Sequence, residues 1–105
     1  MKFLVVAKMR EIPPVPPEKF REMVVGEWHT ALQVRKEGKV EVGYSLVGQK
    51  GGMSIHEAES GADLNAQLMR LPLYAFLDME IYPLMTIEEA LTQAKQALEA
   101  IRALK

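Results

Sequence analysis

The segment that decides the fold is residues 68–81, LMRLPLYAFLDMEI. It combines the end of a helix, a corner marked by a proline, and a strand that carries Asp78 and Glu80 two positions apart. Because side chains alternate along a strand, both carboxylates share one strand face with Phe76 and Tyr82. A buried carboxylate costs free energy unless it is paired. This face is therefore solvated, paired with cations, or part of a functional site.

The remaining elements are predicted from apolar periods of two for strands and 3.6 for helices. They are a strand over 2–10, a stiff proline-rich loop over 12–17, a helix over 18–37, strands over 39–47 and 53–59 joined by a turn at 48–52, a helix over 62–71, a strand over 75–82, and a helix over 90–104 behind a capping box at Thr86. The order β-α-β-β-α-β is that of a ferredoxin-like α+β sandwich with sheet order 4-1-3-2. Residues 1–105 are expected to form one domain, with the added C-terminal helix at about 86–104.

A ferredoxin-like sheet carries both helices on one face and leaves the other face bare. A partly apolar bare face needs a partner. We therefore predict a homodimer or larger homo-oligomer in which two sheets close into a dimeric α/β barrel. The C-terminal helix is expected to cover a sheet edge or to embrace the neighbouring subunit.

Composition excludes several classes of function. The chain has 105 residues, a net charge of -1 and no basic cluster with interleaved aromatics, so neither a nucleic acid nor an anionic membrane is an expected partner. The absence of cysteine excludes disulfides, thiol catalysis and Cys-ligated zinc. The apolar run at 3–7 is too short for a signal-peptide core or a membrane span, so we expect a cytoplasmic protein.

The two histidines do not have the spacing of a metal site. His29 and His56 are far apart in the sequence, and the acids around them are scattered. We predict no metal. For each histidine, a hydrogen-bonded or surface role competes with a role in ligand binding.

The same segment that decides the fold also resembles a known family, the muconolactone delta-isomerases. The similarity covers roughly residues 1–82, and its other matching positions are Glu27, Glu37, Gly38, Gly48, Ser54 and Leu64. The resemblance implies a dimeric α/β-barrel protein, often assembled into larger rings. It also implies an enzyme that moves a proton within an unsaturated lactone during aromatic-compound breakdown, without metal or organic cofactor.

Glu27 matches the helix carboxylate that serves this family as proton shuttle. An allylic proton shift needs a base, and also a donor or cation for the developing enolate oxygen. We therefore predict Glu27 as the base and Lys50 as the cation. The predicted substrate contacts are Trp28, Tyr44 and His56, although Trp28 also fits the buried stripe of its helix.

The chain departs from the family at several positions. The family has a tyrosine and an asparagine that contact the lactone where this chain has Lys50 and Gly52. It has Trp and Arg residues on the second strand, where this chain reads Val40, Glu41, Tyr44 and Ser45. The family tail lacks the long C-terminal helix.

These departures leave alternatives open. One is a non-catalytic dimeric α/β barrel that binds a small hydrophobic ligand, and another is an assembly module that only oligomerises. For Glu27 and Lys50 themselves, the alternative to a catalytic role is a solvated helix residue and a flexible loop residue. For Asp78 and Glu80, an ion network with cations of the first strand is favoured over a catalytic dyad.

Overall fold

Seven regular elements make up the chain, and a computed structural model describes all 105 residues. They are β1 (Lys2–Met9), α1 (Pro17–Lys36), β2 (Val40–Ser45), β3 (Gly51–Glu57), α2 (Gly61–Leu68), β4 (Leu77–Leu84) and α3 (Ile87–Arg102), with a short 3-10 turn at Tyr74–Phe76 before β4. The four strands form one antiparallel sheet in the order β2-β3-β1-β4. This confirms the ferredoxin-like α+β fold and the added C-terminal helix.

Local sequence signals explain where the helices begin and end. Pro17 opens α1, where the N–H that proline lacks would have had no helical partner. Gly38 follows the helix with a φ of 80°, which glycine adopts without steric cost. The Ser60 Oγ accepts a hydrogen bond from the Asp63 N–H at 3.1 Å and caps α2. Thr86 and its capping box begin α3, as predicted.

Strand alternation divides the sheet into a covered face and an open face. Phe3 and Val5 of β1 are buried and cluster with Leu64 and Leu68 of α2, which defines the covered face. Residues directly across from them in β3 and β4 share this face. The intervening positions, which include Lys8 and its partners, form the open face.

The prediction that the last strand begins at residue 75 is wrong. Residues 74–76 turn instead, because the N–H of Tyr74 donates to the carbonyl of Leu71 at 3.0 Å and that of Phe76 to Leu73 at 2.8 Å. Phe76 therefore does not share a strand face with Asp78. These i+3 hydrogen bonds tighten the corner and delay β4 until residue 77.

Other boundaries shift by two to three residues. The helix α2 ends at Leu68 rather than 71, and α3 runs over 87–102 rather than 90–104. The strand β2 ends at Ser45 rather than Val47 and β3 begins at Gly51 rather than Met53, so the turn between them keeps five residues but lies at 46–50. A Cβ at Gly51 would collide with the carbonyl oxygen of Ala7. Glycine is thus needed where β3 runs against β1.

The acid pair of the deciding segment lies on the open face. Arg10 Nη1 donates to Asp78 Oδ1 at 3.2 Å, so the predicted ion contact between the first and last strands is present. Lys8 lies directly across from Asp78. Glu80 accepts a hydrogen bond from the Tyr82 hydroxyl at 2.6 Å. Both carboxylates are exposed to solvent, but only Asp78 has a cation partner, so the predicted ion network is present only in part.

The helix α3 projects away from the rest of the chain, and all of its residues are exposed. The molecule measures 68 × 27 × 24 Å and has a radius of gyration of 18.2 Å. A compact domain of this length would have about 13 Å. Within one chain, α3 therefore covers no sheet edge. No helix is long and apolar enough to cross a membrane.

Candidate active site

A cavity of about 760 Å³ lies between α1 and the covered face of the sheet. Its lining is mostly apolar and includes Val5, Ala7, Met9, Phe20, Val24, Leu77 and Met79. A volume of this size accommodates a small organic ligand. The residues singled out in the sequence as site candidates all contribute to its wall: Glu27, Trp28, Tyr44, Lys50 and His56.

Glu27 brings a carboxylate from α1 into this cavity. Its Oε1 accepts a hydrogen bond from the N–H of Leu73 at 2.9 Å, in the corner between α2 and β4. Burial raises the pKa of Glu27, and the Leu73 hydrogen bond partly offsets this rise. The carboxyl group is thus oriented by the backbone and has no cation beside it that would lower its pKa.

Trp28 lies beside the hairpin that joins β2 and β3. A Cβ built on Gly52 would come within 3.1 Å of Trp28 Cη2, so the missing side chain of Gly52 leaves room for the indole ring. Trp28 as a whole is 41% exposed, and it lines the cavity. Trp28 therefore forms a cavity wall rather than a fully buried part of the core.

Lys50 reaches the cavity from the loop before β3. Its carbonyl oxygen accepts a hydrogen bond from the Met9 N–H at 2.8 Å, which fixes the loop backbone against β1. The side chain is exposed and forms no ion pair within the chain. Its ammonium group is free to approach an anionic ligand.

Tyr44 contributes to the cavity wall from β2, but its side chain lies on the other side of the sheet. It is paired with Met53, one position away from Gly43 and Ser54 of the covered face, and it is 65% exposed. Its predicted contact with substrate is therefore less direct than that of Trp28 or Glu27.

His56 is buried within a chain of hydrogen bonds on the covered face. It is 6% exposed; its Nε2 lies 2.8 Å from Ser54 Oγ and its Nδ1 lies 2.9 Å from Gln67 Oε1. Gln67, which is 3% exposed, donates from Nε2 to the carbonyl of Glu57 at 2.9 Å. Burial lowers the pKa of His56, and the hydrogen bond to Gln67 acts in the opposite direction.

Two residues of this hydrogen-bond network, Ser54 and Gln67, were not identified as site residues from the sequence. Ser54 shares strand parity with His56, so the period of two gave a signal that both line one face. Gln67 lies eleven positions later in α2. Nothing in the sequence marked it as the partner of His56.

The carboxylates of the open face, Asp78 and Glu80, do not line this cavity. No group of three His, Asp or Glu side chains is placed to hold a metal ion. Glu27 and His56 are the groups on the cavity wall that can exchange protons, and Lys50 lines the same cavity.

Comparisons with known proteins identify the family of the chain. The sequence model of the muconolactone delta-isomerase family matches residues 1–90. A muconolactone delta-isomerase of Rhodococcus opacus is 32% identical over 63 residues, which are 60% of this chain and 68% of that protein. Muconolactone delta-isomerase 1 of Acinetobacter lwoffii is 33% identical over 70 residues, or 67% of this chain and 73% of that protein.

Two solved structures share the fold. A muconolactone isomerase matches with a TM-score of 0.73 and 24% identity, covering 82% of this chain and 90% of that one. A 5-chloro-2-hydroxyhydroquinone dehydrochlorinase of Burkholderia phenoliruptrix AC1100, in complex with 2,5-dihydroxybenzoquinone, matches with a TM-score of 0.61 and 16% identity, covering 85% of this chain and 98% of that one. At these identities the likeness shows the fold alone.

Proposed function

This chain belongs to the muconolactone delta-isomerase family, and we propose that it catalyses cofactor-free proton transfer within an unsaturated lactone or a related intermediate of aromatic-compound breakdown. The observation that carries the proposal is the position of Glu27. Its carboxyl group lies in an apolar cavity, where burial raises its pKa. A base with a raised pKa both removes and returns a proton efficiently near neutral pH.

The reaction needs one group that acts twice. The Glu27 carboxylate would remove a proton from the allylic carbon that is conjugated through a C=C bond to the lactone carbonyl, and the electron pair would move into a dienolate. The same proton, now on Glu27, would return to the carbon beside the lactone carbonyl. The Leu73 N–H holds one carboxyl oxygen at 2.9 Å, which leaves the other oxygen for the substrate.

Lys50 is the proposed partner of the enolate oxygen. Its side chain lines the same cavity and forms no ion pair in the chain. An ammonium group placed beside a developing oxyanion stabilises it more in the transition state than in the ground state. Trp28 and His56 in the cavity wall would contact the substrate, whereas the Tyr44 side chain lies on the other face of the sheet and would act only indirectly.

The proposal is tested with purified protein and muconolactone, followed by the absorbance change of isomerisation. Wild-type protein should turn the lactone over, and Glu27→Gln should not. The amide of glutamine still accepts the Leu73 hydrogen bond, so the variant should fold. Glu22→Gln, an exposed position on the same helix, is the matched control. If wild-type protein turns over neither this lactone nor related ones, the proposal is wrong.

A second candidate is a non-catalytic barrel that binds a small hydrophobic ligand. The packing of Trp28 against Gly52 favours it, because an aromatic ring occupies the place next to a family lactone contact. A ligand that binds only the folded state raises the melting temperature. A lactone or aromatic acid that raises it without being converted would favour this candidate over the enzyme.

We also propose that the working form is a homodimer or larger homo-oligomer in the cytoplasm. Large apolar side chains are exposed on the open face and on α3, among them Tyr82, Leu84, Ile87, Leu91, Leu98 and Ile101. Those of α3 follow one another at spacings of four, seven and three, which keeps them on one helix face, the pattern of a helix that packs against another helix. Glu88 and Glu89 lie in its first turn, and Lys95, Glu99 and Arg102 follow in its second half.

Removal of residues 86–105 tests the role of α3 in assembly. The truncated chain keeps its sheet and cavity, so it should fold. In sedimentation it should associate less than the full chain. Equal association of the two chains would limit assembly to the open face of the sheet, and monomers in both cases would overturn the proposed oligomer.

A further inference from the structure

The hydrogen bonds around His56 fix where each proton lies. Gln67 donates from Nε2 to the Glu57 carbonyl, so its Oε1 is an acceptor, and His56 Nδ1 must carry the hydrogen between them. In a neutral imidazole the other nitrogen, Nε2, is then a bare acceptor. Ser54 must therefore donate its hydroxyl hydrogen to Nε2 across 2.8 Å. The lone pairs of Ser54 Oγ remain available on a residue that lines the cavity.

We propose that Ser54, His56 and Gln67 form a second proton-accepting site, on the sheet wall of the cavity, for a ligand that carries an acidic hydroxyl such as an enol or a phenol. It rests on the proposed function only in using the same cavity. Glu27 would act from the α1 side of the cavity. Ser54, His56 and Gln67, together called the relay, would act from its sheet side. Lactones and quinol-like molecules that enolise or ionise would therefore meet proton-transfer groups on two sides.

The proton balance of the relay is simple. The ligand hydroxyl donates its proton to Ser54 Oγ while the Ser54 hydrogen moves to His56 Nε2. The ligand becomes an enolate or phenolate, His56 becomes an imidazolium, and Ser54 ends as it began, with one hydrogen. Gln67 Oε1 accepts from Nδ1 throughout, so no other group changes its protonation. Return of the proton reverses the same steps.

The surroundings of His56 keep the resting relay ready to accept a proton. Its neighbours across the strands are Phe3 and Val40, both apolar, and α2 offers only the neutral Gln67. The charged side chains that line the cavity are Arg21, Glu27, Arg35 and Lys50. Burial lowers the pKa of His56, so the imidazole is neutral until an anionic ligand beside Ser54 stabilises the imidazolium.

A purely structural role would also satisfy these three buried side chains. The two roles differ in what happens when a weak acid enters the cavity. A structural relay keeps His56 neutral, whereas a proton-accepting relay converts it to imidazolium and the ligand to its anion. The probe that reports both events is 4-nitrophenol, whose anion absorbs in the visible range.

The test combines nitrogen NMR of the imidazoles with absorbance of 4-nitrophenol added to the full-length protein. In the free protein His56 should give the spectrum of a neutral ring with hydrogen on Nδ1. On binding, His56 should become an imidazolium and the anion band should grow at a pH where free probe is mostly neutral. His29, exposed and outside the cavity, is the internal reference, and His29→Asn should change neither signal.

Variants at Ser54 separate proton transfer from packing. Ser54→Ala should lose the anion band and about tenfold in affinity, the effect of one hydrogen bond to a charged group. Ser54→Thr keeps the hydroxyl and should restore both. Saturable binding with His56 still neutral, no saturable binding at all, or equal anion bands in wild-type and Ser54→Ala protein would each overturn the relay. None of these results depends on turnover of muconolactone, so the relay and the isomerase can fail independently.

Discussion

The covered and open faces of the sheet place ionisable groups in opposite surroundings. Across the covered face, Glu27 and His56 line an apolar cavity, and burial raises the pKa of the first and lowers that of the second, so that both favour the neutral form. On the open face, Asp78 meets Arg10 in contact with solvent. The comparison teaches that desolvation, rather than the number of carboxylates, marks the groups suited to proton transfer.

The largest expected difference between the faces concerns activity. Glu27→Gln should lower kcat by about 10²- to 10⁴-fold, the usual contribution of a general acid–base group. In wild-type protein kcat/KM should fall as the pH drops through the raised pKa of Glu27, because the protonated carboxyl cannot accept a proton. Initial rates over a pH series measure both effects. A kcat within twofold of wild type would remove Glu27 from the mechanism.

The same ionisation gives a prediction for stability. Folded Glu27 holds its proton more tightly than the unfolded chain does, so ionised Glu27 weakens the fold, and this cost grows as the pH rises through its raised pKa. Glu27→Gln removes the charge and should melt no lower than wild type at neutral pH. Thermal unfolding of the two proteins checks this. A variant that melts far below wild type would mean that the carboxylate stabilises the fold.

Gly52 tests the packing of the cavity mouth. Its Cβ position is 2.9 Å from the Tyr44 carbonyl oxygen and 3.1 Å from Trp28 Cη2, so Gly52→Ala must displace backbone or ring. Such overpacking costs about 1–3 kcal/mol, measured by urea unfolding. Gly43→Ala is the matched control in the adjacent strand, because its Cβ would meet atoms only at 3.8 Å and beyond. Equal losses at both positions would contradict this account.

Glu37 is a carboxylate that is exposed to solvent but paired with Arg70. Its two oxygens accept from Arg70 at 2.7 and 2.8 Å, and this pairing lowers the pKa of Glu37 from 4.5 to about 2. A lowered pKa contributes stability above the ordinary value, and this contribution is lost as the pH falls from 4.5 toward 2. Glu37→Gln should flatten the pH dependence of unfolding in this window. Because the pair is exposed to solvent, the change should be small, and an unchanged slope would contradict it.

The smallest effect is expected on the open face. Asp78→Asn removes an exposed ion pair with Arg10, which should cost at most about 1 kcal/mol in the isolated chain and leave kcat unchanged. Chemical denaturation and the lactone assay measure the two quantities. A loss of activity comparable to that of Glu27→Gln would reassign the chemistry to the open face.

The fold could be predicted because its signals are local. Periodicity, the proline corner and the Thr86 capping box identified every helix and strand in order, and the resemblance around residues 68–81 agreed with them. The start of β4 was missed, because the turn before it also depends on a distant residue. Arg10 Nη2 donates to the Ala75 carbonyl at 2.6 Å across the sheet, and no pattern within residues 68–81 reveals that contact.

The candidate site was less visible because its contacts join distant segments. Glu27 and Leu73 are 46 positions apart, and the orientation of the carboxyl group depends on their hydrogen bond. The shared parity of Ser54 and His56 was readable, but Gln67 was not, since a helix and a strand can face each other in many registers. The proposed site residues are therefore a sequence prediction that the cavity now makes specific enough to test.

The most direct test of the central role of Glu27 is a titration of its side-chain carboxyl by ¹³C NMR in the ligand-free protein. Exposed Glu22 and paired Glu37 serve as comparisons in the same spectrum. The account predicts that Glu27 titrates above the ordinary value of 4.5, and that Glu37 titrates near 2. A Glu27 pKa at or below 4.5 would show that the cavity does not desolvate this carboxylate, and the proposed base would have to be sought elsewhere.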